Sequence, residues 1–341
     1  MSPLRLSSIL AVAGLMLAGT AYGACEVPAS VRTTPPKVAG QPVKVTAVFT
    51  LVDLIAIKDA DQTFTADLVY ELGWRDPRLA QEVLGESLEG CRLGLDDLWR
   101  PDIGAINRRA LTFVFGPRVT VDAEGRVHLE VRGYGDFSSP LDLRDFPFDA
   151  QELRVRMASF KYGPRDIELV GQETKTSNLD YALAGWAVLG NFVDSGVSPA
   201  RVGAETFSRL DYAIRVERRV GYYMWNFVVP LVFIVLMAWT VFWLDPQAAG
   251  VQIGISTASA FTLVAFLVAL RGRLPPVPYL TRMDELILFS TALVFTALAQ
   301  AVLTSRLAQK EQLALAQRID AWGRWIYIAA FGLVLLVTLA R

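Results

Sequence analysis

The sequence predicts a two-part protein: an all-β, immunoglobulin-like sandwich followed by an all-α bundle of four membrane-spanning helices. Three observations predict it. From about Gln41 to Arg218, short segments rich in alternating β-branched residues are separated by Asp-, Gly- and Pro-rich turns. From about Gly221 the chain becomes a succession of four apolar stretches of membrane length. The opening residues have the build of an export signal, which places the β part outside the cytoplasm.

In that opening, MSPLRLSSILAVAGLMLAGTAYGA, Arg5 supplies the positive start. An apolar run follows, and Ala21-Tyr22-Gly23 offers a small-x-small cleavage site. Residues 1–23 are therefore read as a signal peptide, with an N-terminal membrane anchor as the alternative. Cys25 and Cys91, the two cysteines of the chain, would both lie in an oxidising compartment. A disulfide between them is open, because it depends on Cα spacing that sequence does not show.

The hydrophobic fraction is 53%, with a mean hydropathy of +0.36. The formal net charge of −1 and the absence of a basic stripe argue against nucleic acid as a partner. A single histidine, no Cys/His metal cluster and no nucleophile motif argue against an enzyme, a metal or any cofactor.

Each β segment has its own signal. VKVTAVFTLVDLIAI, FTADLVYELGW, RVHLEVRGYG, ELRVRMASF, WAVLGNFVD and LDYAIRVERR alternate or are β-branched, while KDADQ, WRDPR, VDAEGR and KYGPRD punctuate them. Many short strands without intervening helical periods predict an antiparallel sandwich over residues 24–219. Ala80 to Asp97 reads as a short helix or a long loop.

The remainder, 220–341, carries spans at about 221–244, 248–271, 284–305 and 321–340. RLAQKEQLALAQR is the longer connection between the last two. With a cleaved signal, sandwich and C-terminus share the outer side of a bacterial inner membrane. The basic residues do not settle orientation: Arg306, Lys310 and Arg318 fall inside, Arg271, Arg273 and Arg282 outside. Internal repeats or broken helices of the transporter kind do not stand out.

The second span carries a polar stripe. Gln252, Ser256 and Ser259 recur at helical spacing, with Leu263 and Phe266 continuing the line. At about 100° per residue the five fall within roughly 80° of arc. Lipid offers amides and hydroxyls no partner, so this face is predicted to meet protein or water. A pore wall would satisfy it, and one helix cannot enclose water, so several copies are implied.

The segment Leu141 to Leu153, LDLRDFPFDAQEL, sets Pro147 between two aromatics with Asp145 and Asp149 as flanking charges. By itself it reads as a loop between strands. Taken with Trp99-Arg100-Pro101-Asp102, Trp74-Arg75-Asp76-Pro77-Arg78-Leu79 and the four spans, the chain resembles the pentameric ligand-gated ion channels, more closely their prokaryotic branch, which lacks the loop cysteines. The likeness continues through Asn226, Pro230, Ala238-Trp239-Thr240-Val241-Phe242-Trp243, Gly254-Ile255-Ser256-Thr257, Leu274-Pro275 and Pro278-Tyr279.

The resemblance implies a homopentamer, so four further copies of the chain are partners, together with membrane lipid, permeating monovalent ions and a small agonist or proton. It implies a pore lined by the second span. Counting from Trp243 puts Gln252, Ser256, Ser259, Leu263 and Phe266 toward the lumen, in agreement with the stripe. Counting back from Leu274-Pro275 favours Gly254, Ala258, Phe261, Ala265 and Val268 instead. The first register is adopted because it places polar groups in water; Leu263 and Phe266 would then form an apolar gate. Asp245 and Ala248 fall at the inner mouth. A ring of Asp245 favours cations, whereas Arg271 and Arg273 at the outer mouth favour anions; cation permeation is the expectation.

The resemblance also implies a gating junction at Asp149, Arg218, Pro147, Pro278 and Tyr279, with Arg219 and the turn Lys58-Asp59-Ala60-Asp61 nearby. An exposed Asp149–Arg218 pair would contribute only about 0–1 kcal/mol. An agonist pocket between sandwiches would draw on Phe160, Tyr162 and Phe207, whose rings can hold a cationic amine. Each is equally readable as a core aromatic. His128 is the one histidine a proton could use, though a solvated strand position suits it too.

Overall fold

A computed structural model describes residues 25, 27–38, 40–85, 87–172, 183–194, 200–202, 205–270 and 277–340. The signal segment 1–23 and Arg271, Arg273, Leu274 and Pro275 lie outside the described residues. Twelve strands are described: β1 Val43–Lys58, β2 Thr63–Arg75, β3 Ile103–Ala105, β4 Arg108–Phe113, β5 Arg118–Val121, β6 Arg126–Ser138, β7 Ala150–Ser159, β8 Ile167–Gly171, β9 Trp186–Asp194, β10 Ala200–Val202, β11 Glu205–Phe207 and β12 Arg209–Arg218. Two short helices, α1 Ala29–Thr33 and α2 Gln81–Leu84, accompany them, α2 falling where the sequence left helix or loop open.

One sheet runs β4-β6-β2-β1-β8 with β5 also on β6, the other β3-β7-β12-β9, and β10-β11 is a separate hairpin. Alternation drives the packing. On β1 it sends Val43, Val45, Ala47, Phe49 and Leu51 inward; on β12 it sends Leu210, Tyr212, Ile214 and Val216 inward. The two faces meet where the rings of Phe49 and Tyr212 stack at 5.0 Å. Burying each such ring contributes about 1.5–3 kcal/mol.

The sandwich departs from all-antiparallel pairing at one edge, where β1 and β8 run parallel, Val43 beside Ile167. Lone short strands such as β3 and β5 carry too few residues to show a period. Cys25 and Cys91 are bonded, tying the segment before α1 to the loop after α2.

Four helices follow: α3 Gly221–Trp243, α4 Ala249–Leu270, α5 Arg282–Gln309 and α6 Leu313–Leu339. Each is long and apolar enough to cross a membrane. In α3, Pro230 has no N–H to give, and a wider π turn occupies Met224–Val228 just ahead of it. Thr281 and Asp284 close a capping box at the start of α5. The connection expected to be long between the last two spans is three residues, 310–312, because helix continues through most of it.

Candidate functional site

Two places concentrate polar side chains against the membrane half: the junction beneath the sandwich, and the interior of the helix bundle. At the junction β12 ends in Arg218, with two residues between it and α3. Its Nε donates to Asp149 Oδ1 at 2.7 Å, and Nη1 donates to Asp59 Oδ2 at 2.8 Å. Nη1 also donates to the Tyr223 hydroxyl at 3.1 Å. The guanidinium lies 4.1 Å from the centre of the Trp186 ring and 4.8 Å from that of Phe146. Arg218 and Asp149 side chains are each 2% exposed.

The surface pair expected from sequence is therefore a buried one, joined by a partly exposed third member, Asp59, from the turn after β1. Burial alone would lower the Arg218 pKa; hydrogen bonds and charge from Asp59 and Asp149 outweigh it, and the pKa stands above its ordinary value. The sandwich core, the loop before β7 and the head of α3 thus share one cation.

Pro147 is buried in that loop, after a cis peptide bond to Phe146. The loop is docked on α5: Arg282 N donates to Arg144 O at 3.0 Å, Met283 N to Phe146 O at 3.3 Å, and Arg282 pairs with Asp145 at 2.7 Å. Leu143 N donates to the Tyr279 hydroxyl at 3.0 Å, and Arg144 lies over the Tyr279 ring. Pro278 is exposed beside it. All five predicted junction residues gather within this contact.

The stripe on α4 turns the other way from its predicted direction. Gln252, Ser259 and Leu263 are 0% exposed and Ser256 1%, all within a single subunit. Phe266 is partly buried against the same core. They are turned into the subunit, Gln252 meeting Leu244 at the end of α3, Ser305 of α5 and Asp320 of α6. The premise that these groups need water fails because each finds a protein partner. Ser256 donates to Gln252 O at 2.8 Å and Ser259 to Ile255 O at 2.9 Å. The Gln252 amide donates to Leu244 O at 3.2 Å and accepts from Ser305 at 3.1 Å.

The opposite arc of α4 is bare. Phe261 is 72% exposed and Val268 61%, on the line of Gly254, Ala258 and Ala265. That is the register counted from Leu274-Pro275. Asp245 and Ala248 are exposed before α4, Asp245 Oδ1 accepting from Gln247 N.

The three aromatics offered as an agonist pocket differ. Phe160 is exposed, over Gly104, where a Cβ would stand 2.9 Å from its ring. Tyr162 is buried and its hydroxyl accepts from Trp99 Nε1 at 2.9 Å. It also borders a polar cleft of about 200 Å³ with Arg100, Asp102 and Lys161. Phe207 is buried at the end of the β10-β11 hairpin. His128 is exposed on β6.

Asp320 and Gln300, which bond within the bundle, went unnoticed in the sequence. Single polar residues in spans were the available signal, since ionisable groups there are rarely without a role.

Residues 30–220 match the family described as neurotransmitter-gated ion-channel ligand binding domain. Residues 227–314 match the neurotransmitter-gated ion-channel transmembrane region. The chain is 28% identical over 300 residues to a proton-gated ion channel of Gloeobacter violaceus, covering 87% of this chain and 82% of the relative.

Proposed function

This chain belongs to the neurotransmitter-gated ion-channel family, and from that premise we propose that it forms a homopentameric, cation-permeable membrane channel opened by a proton or a small agonist. It is a membrane protein and not an enzyme. The observation that carries the reading is the bare apolar arc of α4, opposite a stripe whose polar groups find partners inside the subunit. Five such arcs around an axis would line a pore with Gly254, Ala258, Phe261, Ala265 and Val268, and a ring of Phe261 would form the apolar constriction. Narrow apolar rings stop ions by dewetting.

The junction supports a route for gating. Agonist-driven movement of the sandwich would reach α3 through Arg218 and α5 through the loop around Pro147. Proton activation draws on the activity of the Gloeobacter relative, a proton-gated ion channel; amine activation would use Phe160, which is exposed enough to meet a ligand, with Tyr162 and Phe207 as the further aromatics. A ring of Asp245 at the mouth would favour cations, and the segment 1–23 would place the sandwich outside the bacterial inner membrane.

The test is current recording from the full chain in oocytes or planar bilayers, with pH steps and a panel of amines, in asymmetric salt. Currents reversing toward the cation potential support the reading. Reversal toward the anion potential would make it an anion channel of the same fold. Silence under every condition would leave a membrane-anchored receptor.

A further inference from the structure

Asp320 sits two turns into α6, about 10 Å along the helix from its start, and is 2% exposed. Its Oδ1 accepts from Gln300 Nε2 of α5 at 3.2 Å and its Oδ2 from Gln252 Nε2 of α4 at 3.4 Å. Both bonds are long and both donors are neutral. The Thr304 hydroxyl of α5 donates to Gln300 O at 3.0 Å. The geometry is built for contact: a Cβ on Gly323 would lie 2.3 Å from Gln300 Nε2, so the glycine leaves room for that amide to reach the carboxyl.

Charge near it is sparse. Arg324 of the same helix is the charged group that acts on it. That guanidinium is engaged elsewhere, donating to Phe242 O at 2.8 Å and lying 4.6 Å from the Trp243 ring centre. From α4 the facing groups are Gln252 and Ser256, from α5 Gln300, Thr304 and Ser305, and from the end of α3 the Leu244 carbonyl; none is ionisable. Arg306, Arg318 and Asp245 are exposed. A buried carboxylate facing only neutral donors is costly to keep charged. A cleft of about 440 Å³ between α5 and α6, bordered by Gln300, Arg318, Trp322 and Gly323, adjoins the cluster at the Gln300 amide.

We propose that Asp320 is a proton-binding site at the meeting point of α4, α5 and α6, and that its occupancy sets how firmly the pore helix is held to the outer helices. The proposal rests on the channel reading above. A proton taken from water adds to Oδ2 and turns that oxygen from acceptor to donor. Gln252 Nε2, itself a donor, then no longer fits. Its amide must turn to offer Oε1; Nε2 then faces Ser305, whose hydroxyl changes from donor to acceptor, and the hydrogen bond to Leu244 O is given up. One proton thereby exchanges a bond between α4 and the end of α3 for a stronger one between α4 and α6.

The test uses the full-length protein reconstituted in lipid. Infrared difference spectra between neutral and acid buffer are taken on wild type, D320N and Q252M, and pH-activated currents are taken on the same preparations. The expected result is a carboxyl C=O band on acidification that is lost in D320N and displaced in Q252M. The half-activating proton concentration of D320N should also move by about threefold or more. A band unchanged in D320N, or none in wild type, overturns the proposal. Should D320N fail to assemble, Q252M decides: a displaced band supports the site and an unmoved band overturns it. A band that behaves as expected in a protein passing no current upholds the proton site and defeats the channel reading.

Discussion

Arg218 Nε donates to Asp149 Oδ1 at 2.7 Å with both side chains excluded from solvent. Breaking such a pair leaves the partner charged and buried, which costs about 3–5 kcal/mol. R218A is therefore expected to lower the thermal unfolding midpoint of the assembled protein sharply and to blunt activation. R218K, whose ammonium cannot reproduce the two-point hydrogen bonds to both Asp149 and Asp59, should fall between. Because the Arg218 pKa is raised, its contribution is fully present below the ordinary arginine value and is lost only as pH rises through the higher one. Alkaline titration should leave the triad intact, which thermal unfolding at pH 7 and pH 10 would check.

Tyr279 joins the linker before α5 to the loop holding Pro147 through one hydroxyl. Y279F keeps the ring under Arg144 and leaves the Leu143 N–H unpaired, at about 1–3 kcal/mol. The expected outcome is a shift of the activation curve to higher agonist or proton concentration, read from dose–response currents, with little change in assembly.

The Cys25–Cys91 bond closes a loop of 66 residues. Chain-entropy arguments give such a loop about 4 kcal/mol. C25S/C91S, or wild type under reductant, should unfold at a lower temperature, with the loss confined to the sandwich when followed by near-ultraviolet circular dichroism.

Phe160 and Tyr162 separate binding from packing. F160A should leave the unfolding midpoint nearly unchanged and weaken any amine response. Y162F removes the acceptor for Trp99 Nε1 and should destabilise the sandwich by about 1–3 kcal/mol. If the two variants exchange these effects, the assignment of ligand-facing and core aromatic is reversed.

The sandwich and the four spans were legible because each rests on a repeating pattern: period two along β1, β2 and β12, and apolar length in α3 to α6. The junction was legible through family likeness, yet its energetics were not, since sequence cannot say that Trp186 and Phe146 enclose Arg218. The stripe on α4 is one face, as its spacing predicts, and that face is buried within the subunit. Periodicity reports that Gln252, Ser256 and Ser259 share a face; the serines bond locally to carbonyls of their own helix, while the partners of Gln252, Leu244 and Ser305, are set by the tertiary packing. The parallel β1-β8 pair was hidden likewise, being formed by strands more than a hundred residues apart.

The direction of α4 is tested most directly by cysteine accessibility. The two native cysteines are bonded to each other, so single substitutions A258C, F261C and V268C can be compared with S256C and S259C under a water-soluble thiol reagent during recording. Block or altered current at Ala258, Phe261 and Val268, with Ser256 and Ser259 silent, is the expected result. Modification at Ser256 and Ser259 with Ala258, Phe261 and Val268 unreactive would contradict it and return the polar stripe to the lumen.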